Sequence, residues 1–192
     1  MALFVQITNN PSYQVNTMKS RDIAIVGILL AVGAILRYFL AMLHTPLTPN
    51  MVIAFYCLAI ILIMPKVYEA LGIGIVAGIL SMLISSSIFP PANLVSEPIG
   101  ALVCFGLYAV LRNRTRLAPT VSTFLTTLAS GFSFAAVAII FVGATILSKY
   151  QGDIMGFVAV FVPIVVITAV FNAVIVQILY IPSSRVLMRG QE

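Results

Sequence analysis

Long apolar runs alternate with short polar breaks along most of this chain. The breaks contain prolines, asparagines and clusters of basic residues, whereas the runs are almost free of charge. A helix needs about 20 apolar residues to cross the hydrocarbon core of a bilayer, and most of the runs approach that length. The pattern therefore predicts six membrane-spanning helices: at about 23–43, 51–64 and 68–84, in a stretch ending at 111, within 120–147, and at about 154–180.

Composition supports an all-α integral membrane protein. The chain has 192 residues, of which 61% are hydrophobic and 8% are charged, whereas soluble domains are nearer 45–50% apolar and about 25% charged. Lipid must solvate most of this surface. We predict an N-terminal cytoplasmic extension at 1–22, a six-helix membrane domain at 23–182 and a cytoplasmic tail at 183–192.

The basic residues predict the orientation of the helices. With six spans, eight of the ten Lys and Arg residues fall in loops or ends on one side, and only Lys149 falls in a loop on the other. Positive charge marks cytoplasmic segments, so both termini are predicted to face the cytoplasm. The net charge of +5 then reflects topology, and nucleic acid is not an expected partner.

One polar break stands out because it contains no basic residue and is predicted to face outward. It runs from Ser85 to Pro98, and its carboxylate, Glu97, enters the apolar run that follows. Arg37 lies roughly 21 Å along the first helix, at a similar depth. A charge in a membrane span is costly and usually functional. Together the two charges suit a zwitterion, with Arg37 binding a carboxylate and Glu97 an ammonium group; alternatively they pair with each other, or Arg37 reaches the membrane surface.

Polar and aromatic residues surround this level of the chain. Aromatic rings can stack on a planar ligand, and an asparagine can hydrogen-bond its polar edge, although interfacial aromatics also occur in membrane proteins generally. His44 is interpreted as a solvated turn residue, and Asn172 as an interhelical hydrogen bond. The predicted substrate-binding residues are Arg37, Tyr38, Asn50, Phe89, Asn93 and Glu97.

No sequence motif indicates catalysis or a cofactor. The nucleophile elbow, the HExxH zinc motif and the phosphate-binding Walker A loop are all missing from the sequence, so an enzyme is not expected. Cys57 and Cys104 lie in apolar runs without metal-ligand spacing and are interpreted as small buried hydrophobic residues. Neither a metal site nor a cofactor is predicted.

Small residues line one side of the first predicted helix. Such a row lets another helix approach closely within lipid. It can serve packing inside the chain or docking on another membrane protein, and both readings stay open at this point. The row consists of Ala24, Gly27, Ala31 and Ala34.

Several segments resemble the substrate-binding (S) components of energy-coupling factor (ECF) transporters, and most closely the tryptophan-type, TrpP-like branch. They are Pro49-Asn-Met51, Ile63-Met-Pro-Lys66, Gly72-Ile-Gly-Ile-Val-Ala-Gly78 and Phe89-Pro-Pro-Ala-Asn93. The match is good from about 27 to 108 and general in the last two spans. One departure is that Glu97-Pro98 stands where that branch is expected to carry an acidic–basic pair.

The resemblance implies a multi-pass subunit of an ABC-type importer in a prokaryotic cell membrane. Such a subunit captures a small molecule from outside and docks on a transmembrane coupling subunit that carries two ATPases. It implies that the small-residue row of the first helix is the docking face and that the substrate is tryptophan. The alternatives are an S component for a vitamin such as riboflavin, biotin or a thiamin precursor, and a membrane-embedded enzyme or structural subunit that uses Glu97.

Overall fold

A computed structural model describes residues 18–42, 50–149 and 152–189, with side chains described as far as 184. This part of the chain is helical and contains no strand. His44 and the first 17 residues, which belong to the predicted N-terminal extension, lie outside the described residues. The helices are α1 (Ser20–Met42), α2 (Met51–Ile63), α3 (Val67–Ile84), a 3₁₀ helix (Pro90–Ala92), α4 (Asn93–Leu111), α5 (Ala118–Lys149) and α6 (Ile154–Arg189).

The predicted helical architecture is confirmed, and five of the described helices are long and apolar enough to cross a membrane. The exception is α2, whose 13 residues span about 20 Å against a hydrocarbon core of about 30 Å. The six-span count and the orientation of the termini therefore stay predictions. Helix α6 continues through Pro182 to Arg189, so that part of the predicted tail is helical.

The short helix α2 forms the centre of the bundle. It contacts each of the other α-helices of the described chain, and no residue from Met51 to Ile61 is more than 5% exposed. Its sequence is apolar on every side, which is typical of a helix that is buried all round. The outer helices instead present large apolar side chains outward, as expected for surfaces solvated by lipid tails.

Helix α1 packs on α2 through a different face from the small-residue row. Val26, Leu30, Gly33 and Arg37 are the buried residues of α1, and a methyl group at Gly33 would lie 3.1–3.2 Å from atoms of Phe55 and Val52. Gly33 thus provides the close approach within the chain.

The small-residue row of α1 points away from the core of the described chain. Ala24, Gly27 and Ala31 are exposed and Ala34 is half-buried. A methyl group added at Gly27 would meet no atom within 4 Å. The internal-packing interpretation therefore does not describe this row, and the row is free to contact lipid or another protein.

The two cysteines lie together in the core. Cys57 on α2 and Cys104 on α4 are both fully buried and free, and the Cys104 thiol lies 4.0 Å from the Cys57 carbonyl oxygen. Their surroundings agree with the interpretation of both as small buried hydrophobic residues.

Candidate substrate-binding site

A cleft of about 130 Å³ lies at the N-terminal end of α2. Helices α1, α4, α5 and α6 form its walls, and because α2 is short, its first residues reach the cleft. The lining residues are Arg37, Asn50, Ile53, Ser87, Asn93, Ser96, Glu97, Thr127, Ser130, Gly131, Phe134, Phe161, Ile164, Val165 and Thr168.

The Glu97 carboxylate is fully buried at one end of this cleft and joins three elements. Its Oε1 accepts a hydrogen bond from Asn50 Nδ2 at 2.5 Å, and its Oε2 accepts one from Ser130 Oγ at 3.1 Å. Asn50 is the N-cap residue of α2, but its side chain makes no capping hydrogen bond. The N-terminus of α2 therefore keeps the partial positive charge of N–H groups without a side-chain cap, and the Asn50 side chain links it to the Glu97 carboxyl group.

Arg37 lies at the same end of the cleft, with only 8% of its surface exposed. Its Nη2 donates to Ser85 Oγ at 3.2 Å, whereas its Nη1 is buried without a hydrogen-bond partner. The guanidinium group is buried between helices of the bundle, which does not favour the interpretation that Arg37 extends outward. No ion pair within 4.0 Å joins Arg37 to Glu97 in the described part of the chain, although the two charges act on each other electrostatically at longer range.

A turn before α4 holds Arg37 and Asn93 in place. Ser85 Oγ donates to Ser87 Oγ at 2.7 Å and accepts from the Ser87 backbone N–H at 3.1 Å, in addition to its bond from Arg37. Asn93 is buried, and its Nδ2 donates to the Pro90 carbonyl oxygen at 2.7 Å. Asn93 thus fastens the 3₁₀ helix to the start of α4 while it lines the cleft.

Glycines of α3 set the position of the α4 backbone that carries Glu97. A methyl group at Gly74 would lie 2.7 Å from Pro98 Cα and 3.1 Å from the Glu97 carbonyl oxygen, and one at Gly78 would lie 2.8 Å from the Asn93 carbonyl oxygen. Ordinary contacts between carbon atoms are about 3.5–4.0 Å. Any larger residue at either glycine must therefore displace α4.

Helices α5 and α6 also contribute apolar and aromatic residues to the cleft. The rings of Phe134 on α5 and Phe161 on α6 are nearly parallel, with centroids 6.4 Å apart and an interplanar angle of 11°. Phe157 stacks on Phe161 at 5.2 Å. Val165 packs against Gly131, where a methyl group would lie 2.7 Å from a Val165 methyl carbon. We call the part of the cleft around Arg37 and Glu97 its charged end and the part around Phe134 and Phe161 its aromatic wall.

Asn172 connects the base of the cleft to α6. Its Nδ2 donates to the Asn50 carbonyl oxygen at 3.1 Å and to Thr127 Oγ1 at 3.3 Å. These bonds agree with the interpretation of Asn172 as an interhelical contact. They also anchor the N-terminus of α2, on which Glu97 depends.

Four of the six residues predicted to bind substrate meet in the cleft, namely Arg37, Asn50, Asn93 and Glu97. The other two lie elsewhere. Tyr38 is 53% exposed and packs edge-on against Phe39. Phe89 stacks on Phe141 with centroids 5.7 Å apart and does not line the cleft.

Sequence reasoning missed the residues that α5 and α6 contribute. On α5 they are Thr127, Ser130, Gly131 and Phe134, and on α6 they are Phe161, Ile164, Val165 and Thr168. Both sets follow the spacing i, i+3, i+4, i+7 of a single helix face. That periodicity is the available signal, but it is weak because hydroxyl residues in apolar helices often bond only to their own backbone.

Comparison with known proteins decides the family. The family model described as "Tryptophan transporter TrpP" matches residues 19–188. The chain belongs to the TrpP family. It is also 30% identical over 167 residues to a protein of Bacillus subtilis (strain 168) described as "Probable tryptophan transport protein", a match that covers 85% of this chain and 90% of that protein. No solved structure matches the chain.

Membership of the TrpP family confirms the resemblance seen in the sequence. The match includes all described helices almost to the end of α6, so the last two spans belong to the family pattern as well. The chain is a transport protein of the cell membrane with several apolar helices, and TrpP proteins are transporters rather than enzymes. Its charged and aromatic cleft is the candidate site for the transported molecule.

Proposed function

We propose that this TrpP family protein binds tryptophan in the cleft between α1, α2, α4, α5 and α6. The observation that carries the proposal is the buried guanidinium group of Arg37, whose Nη1 has no hydrogen-bond partner. A buried, unpaired N–H of a charged group is costly. A carboxylate in the cleft would satisfy it, and the planar fork of arginine suits that group.

The second half of a zwitterion has a partner at the same end. Both oxygens of Glu97 already accept one hydrogen bond each, and an ionised carboxylate can accept about four. An ammonium group would use the remaining lone pairs and neutralise a buried charge. The aromatic wall then lies where the side chain of an aromatic amino acid would extend, with Phe134 and Phe161 as stacking partners.

The dimensions of the cleft imply a widening on binding. A cavity of about 150 Å³ is known to hold benzene, so the present cleft of about 130 Å³ has room for about one six-membered ring. Tryptophan needs more space. An indole ring stacked between Phe134 and Phe161 would need about 7 Å between the two phenylalanine rings, or about 3.5 Å for each contact. Their centroids are now 6.4 Å apart, so we expect the two rings to separate when the substrate binds.

We further propose that the protein is an S component, with six spans and both termini in the cytoplasm, and that it docks on a transmembrane coupling subunit with two ATPases. The exposed row Ala24, Gly27, Ala31 and Ala34 supports this proposal, because small exposed residues allow close contact with another membrane helix. The departure at Glu97-Pro98 is compatible with amino-acid binding, since Glu97 lines the cleft.

The test uses the absence of tryptophan from the sequence. Added tryptophan is then the only indole in the sample, so its fluorescence reports binding to the detergent-purified protein. Tryptamine lacks the carboxylate, and indole-3-propionate lacks the ammonium group. The wild type is expected to bind tryptophan more tightly than either analogue.

Substitution of Arg37 is expected to remove the preference for a ligand carboxylate, and substitution of Glu97 the preference for a ligand ammonium group. Arg37→Gln should weaken tryptophan binding by 30-fold or more, since loss of one partner of a buried charge pair costs about 2–5 kcal/mol, and should leave tryptamine binding nearly unchanged. Glu97→Gln should weaken tryptophan binding and leave indole-3-propionate binding nearly unchanged. If each substitution lowers the affinity for tryptophan, tryptamine and indole-3-propionate equally, both residues have a structural role. Saturable binding of riboflavin, biotin or a thiamin precursor in place of tryptophan would reject the proposed substrate.

A further inference from the structure

Thr168 is a buried hydroxyl residue that lines the cleft. It is 6% exposed and lines the cleft from α6, one turn beyond Val165 and two turns beyond Phe161. The charged end does not use it, since the hydrogen bonds of Glu97 come from Asn50 and Ser130.

The proton of this hydroxyl group already takes part in a hydrogen bond within α6. Thr168 Oγ1 donates to the carbonyl oxygen of Ile164 at 2.7 Å. A hydroxyl group has one donor and two acceptor lone pairs. Toward the cleft, Thr168 can therefore only accept a hydrogen bond, and it selects for a ligand group that carries an N–H or O–H.

Four other hydroxyl residues line the cleft. Ser87 Oγ accepts from Ser85 Oγ, and Ser96 Oγ is buried without a hydrogen-bond partner. Thr127 Oγ1 donates to the Thr123 carbonyl oxygen at 2.9 Å and accepts from Asn172 at 3.3 Å. Ser130 Oγ donates to Glu97, at the charged end. Thr168 lies one turn from Asn172, at the base of the cleft, and about 10 Å along α6 from Phe161. A ring that extends from the phenylalanines toward this base would meet the oxygen of Thr168 as an acceptor.

We propose that Thr168 Oγ1 accepts a hydrogen bond from the indole N–H of the substrate and so distinguishes an indole ring from rings of similar shape. The inference rests on the proposed function, in which tryptophan is the bound molecule. Phe134 and Phe161 contact the faces of the ring, which every planar aromatic ring presents, so they favour an aromatic substrate without selecting indole. A buried acceptor rejects a ring that leaves it unpaired.

The test compares tryptophan with 3-benzothienylalanine, in which sulfur replaces the indole N–H and the ring shape is nearly kept. Both are titrated into the purified full-length protein by calorimetry. The wild type should prefer tryptophan by about tenfold, the range expected for one hydrogen bond. Thr168→Val should weaken tryptophan binding by about tenfold and leave benzothienylalanine binding within about twofold, so that the preference disappears.

Two matched variants separate recognition from structure. Thr168→Ser keeps the hydroxyl group and should keep the preference for tryptophan. Ser130→Ala removes a hydrogen bond from Glu97 and should weaken both ligands by the same factor. Should Thr168→Val weaken both ligands equally, or neither, the assignment of Thr168 is wrong while tryptophan binding stands. A wild-type protein that binds neither ligand would overturn the proposed function and this inference together.

Discussion

The contact between α3 and α4 offers a sharp test of how the cleft is held. We predict that Gly74→Ala disturbs substrate binding although Gly74 does not line the cleft. Its added methyl group would lie 2.7 Å from Pro98 Cα and 2.8 Å from Ala101 Cβ. Since carbon atoms normally stay about 3.5–4.0 Å apart, α4 must withdraw by about 0.8 Å, and both contacts are too close to the backbone for a side-chain rotation to relieve them.

The size of the effect follows from this displacement. Overpacking of this kind costs about 1–3 kcal/mol of folding free energy. The displaced segment carries Glu97, whose hydrogen bonds to Asn50 and Ser130 are set by the position of α4. Because a misplacement of about 1 Å in a positioned group can cost about 100-fold, we expect Gly74→Ala to weaken tryptophan binding by 10- to 100-fold.

Gly72→Ala is the matched control on the same helix. A methyl group at Gly72 would meet no atom within 4 Å. Both substitutions gain the helix propensity of alanine, worth about 1 kcal/mol, so the difference between them isolates the packing effect. We expect Gly72→Ala to be equally or more stable than the wild type and to bind tryptophan normally.

The assay is indole fluorescence titration of each purified variant, with thermal unfolding measured in the same detergent. Gly74→Ala should show a lower unfolding temperature than Gly72→Ala and the larger loss of affinity. If the two variants bind tryptophan equally well, then α4 is not held by its contact with Gly74, and the link from the glycines of α3 to the cleft is refuted.

Two further predictions concern other parts of the chain. Met64 ends α2 in the left-handed conformation, with φ 48° and ψ 62°, which costs a non-glycine residue about 1–2 kcal/mol. Met64→Gly should therefore unfold at a higher temperature than Met64→Ala, which loses the same side-chain contacts. An equal unfolding temperature for the two variants would show that this conformation is not under strain. The double variant Ala31→Leu, Ala34→Leu should abolish tryptophan uptake by cells that also contain the coupling subunit and ATPases. The purified double variant should still bind tryptophan normally. Loss of both uptake and binding would contradict a face that serves only for docking.

Hydrophobic pattern alone determined the class of this protein and most of its helices. Backbone N–H and C=O groups in lipid must be hydrogen-bonded within the protein, which only helices and closed barrels achieve. Apolar runs near 20 residues in length match a spanning helix rather than a barrel strand. The same pattern predicted Arg37 and Glu97 as candidate binding residues, because a charge inside an apolar span is energetically costly and usually functional. Asn50 and Asn93 followed from their position in the polar breaks beside those charges.

The tertiary structure decided which of these residues meet and what surrounds them. Periodicity defines the faces of one helix but not the neighbour that each face contacts, so it predicted neither the bond from Asn50 to Glu97 nor the outward direction of Tyr38. It also left open whether the small residues of α1 pack inside the chain. Gly33 took that role, because it shares a face with Val26, Leu30 and Arg37.

The aromatic wall and Thr168 depended entirely on the packing of α5 against α6. A threonine or phenylalanine in an apolar helix is ordinary by sequence, since lipid and protein core both accept it and a hydroxyl group can bond to its own backbone. Only the arrangement of the bundle around the short helix α2 brings these residues to the same cleft as Arg37 and Glu97. Arg37 and Glu97 could be predicted from the sequence because a charge is energetically costly inside a membrane span. The apolar residues of the candidate site carry no such cost, so only their packing in the tertiary structure shows that they line the cleft.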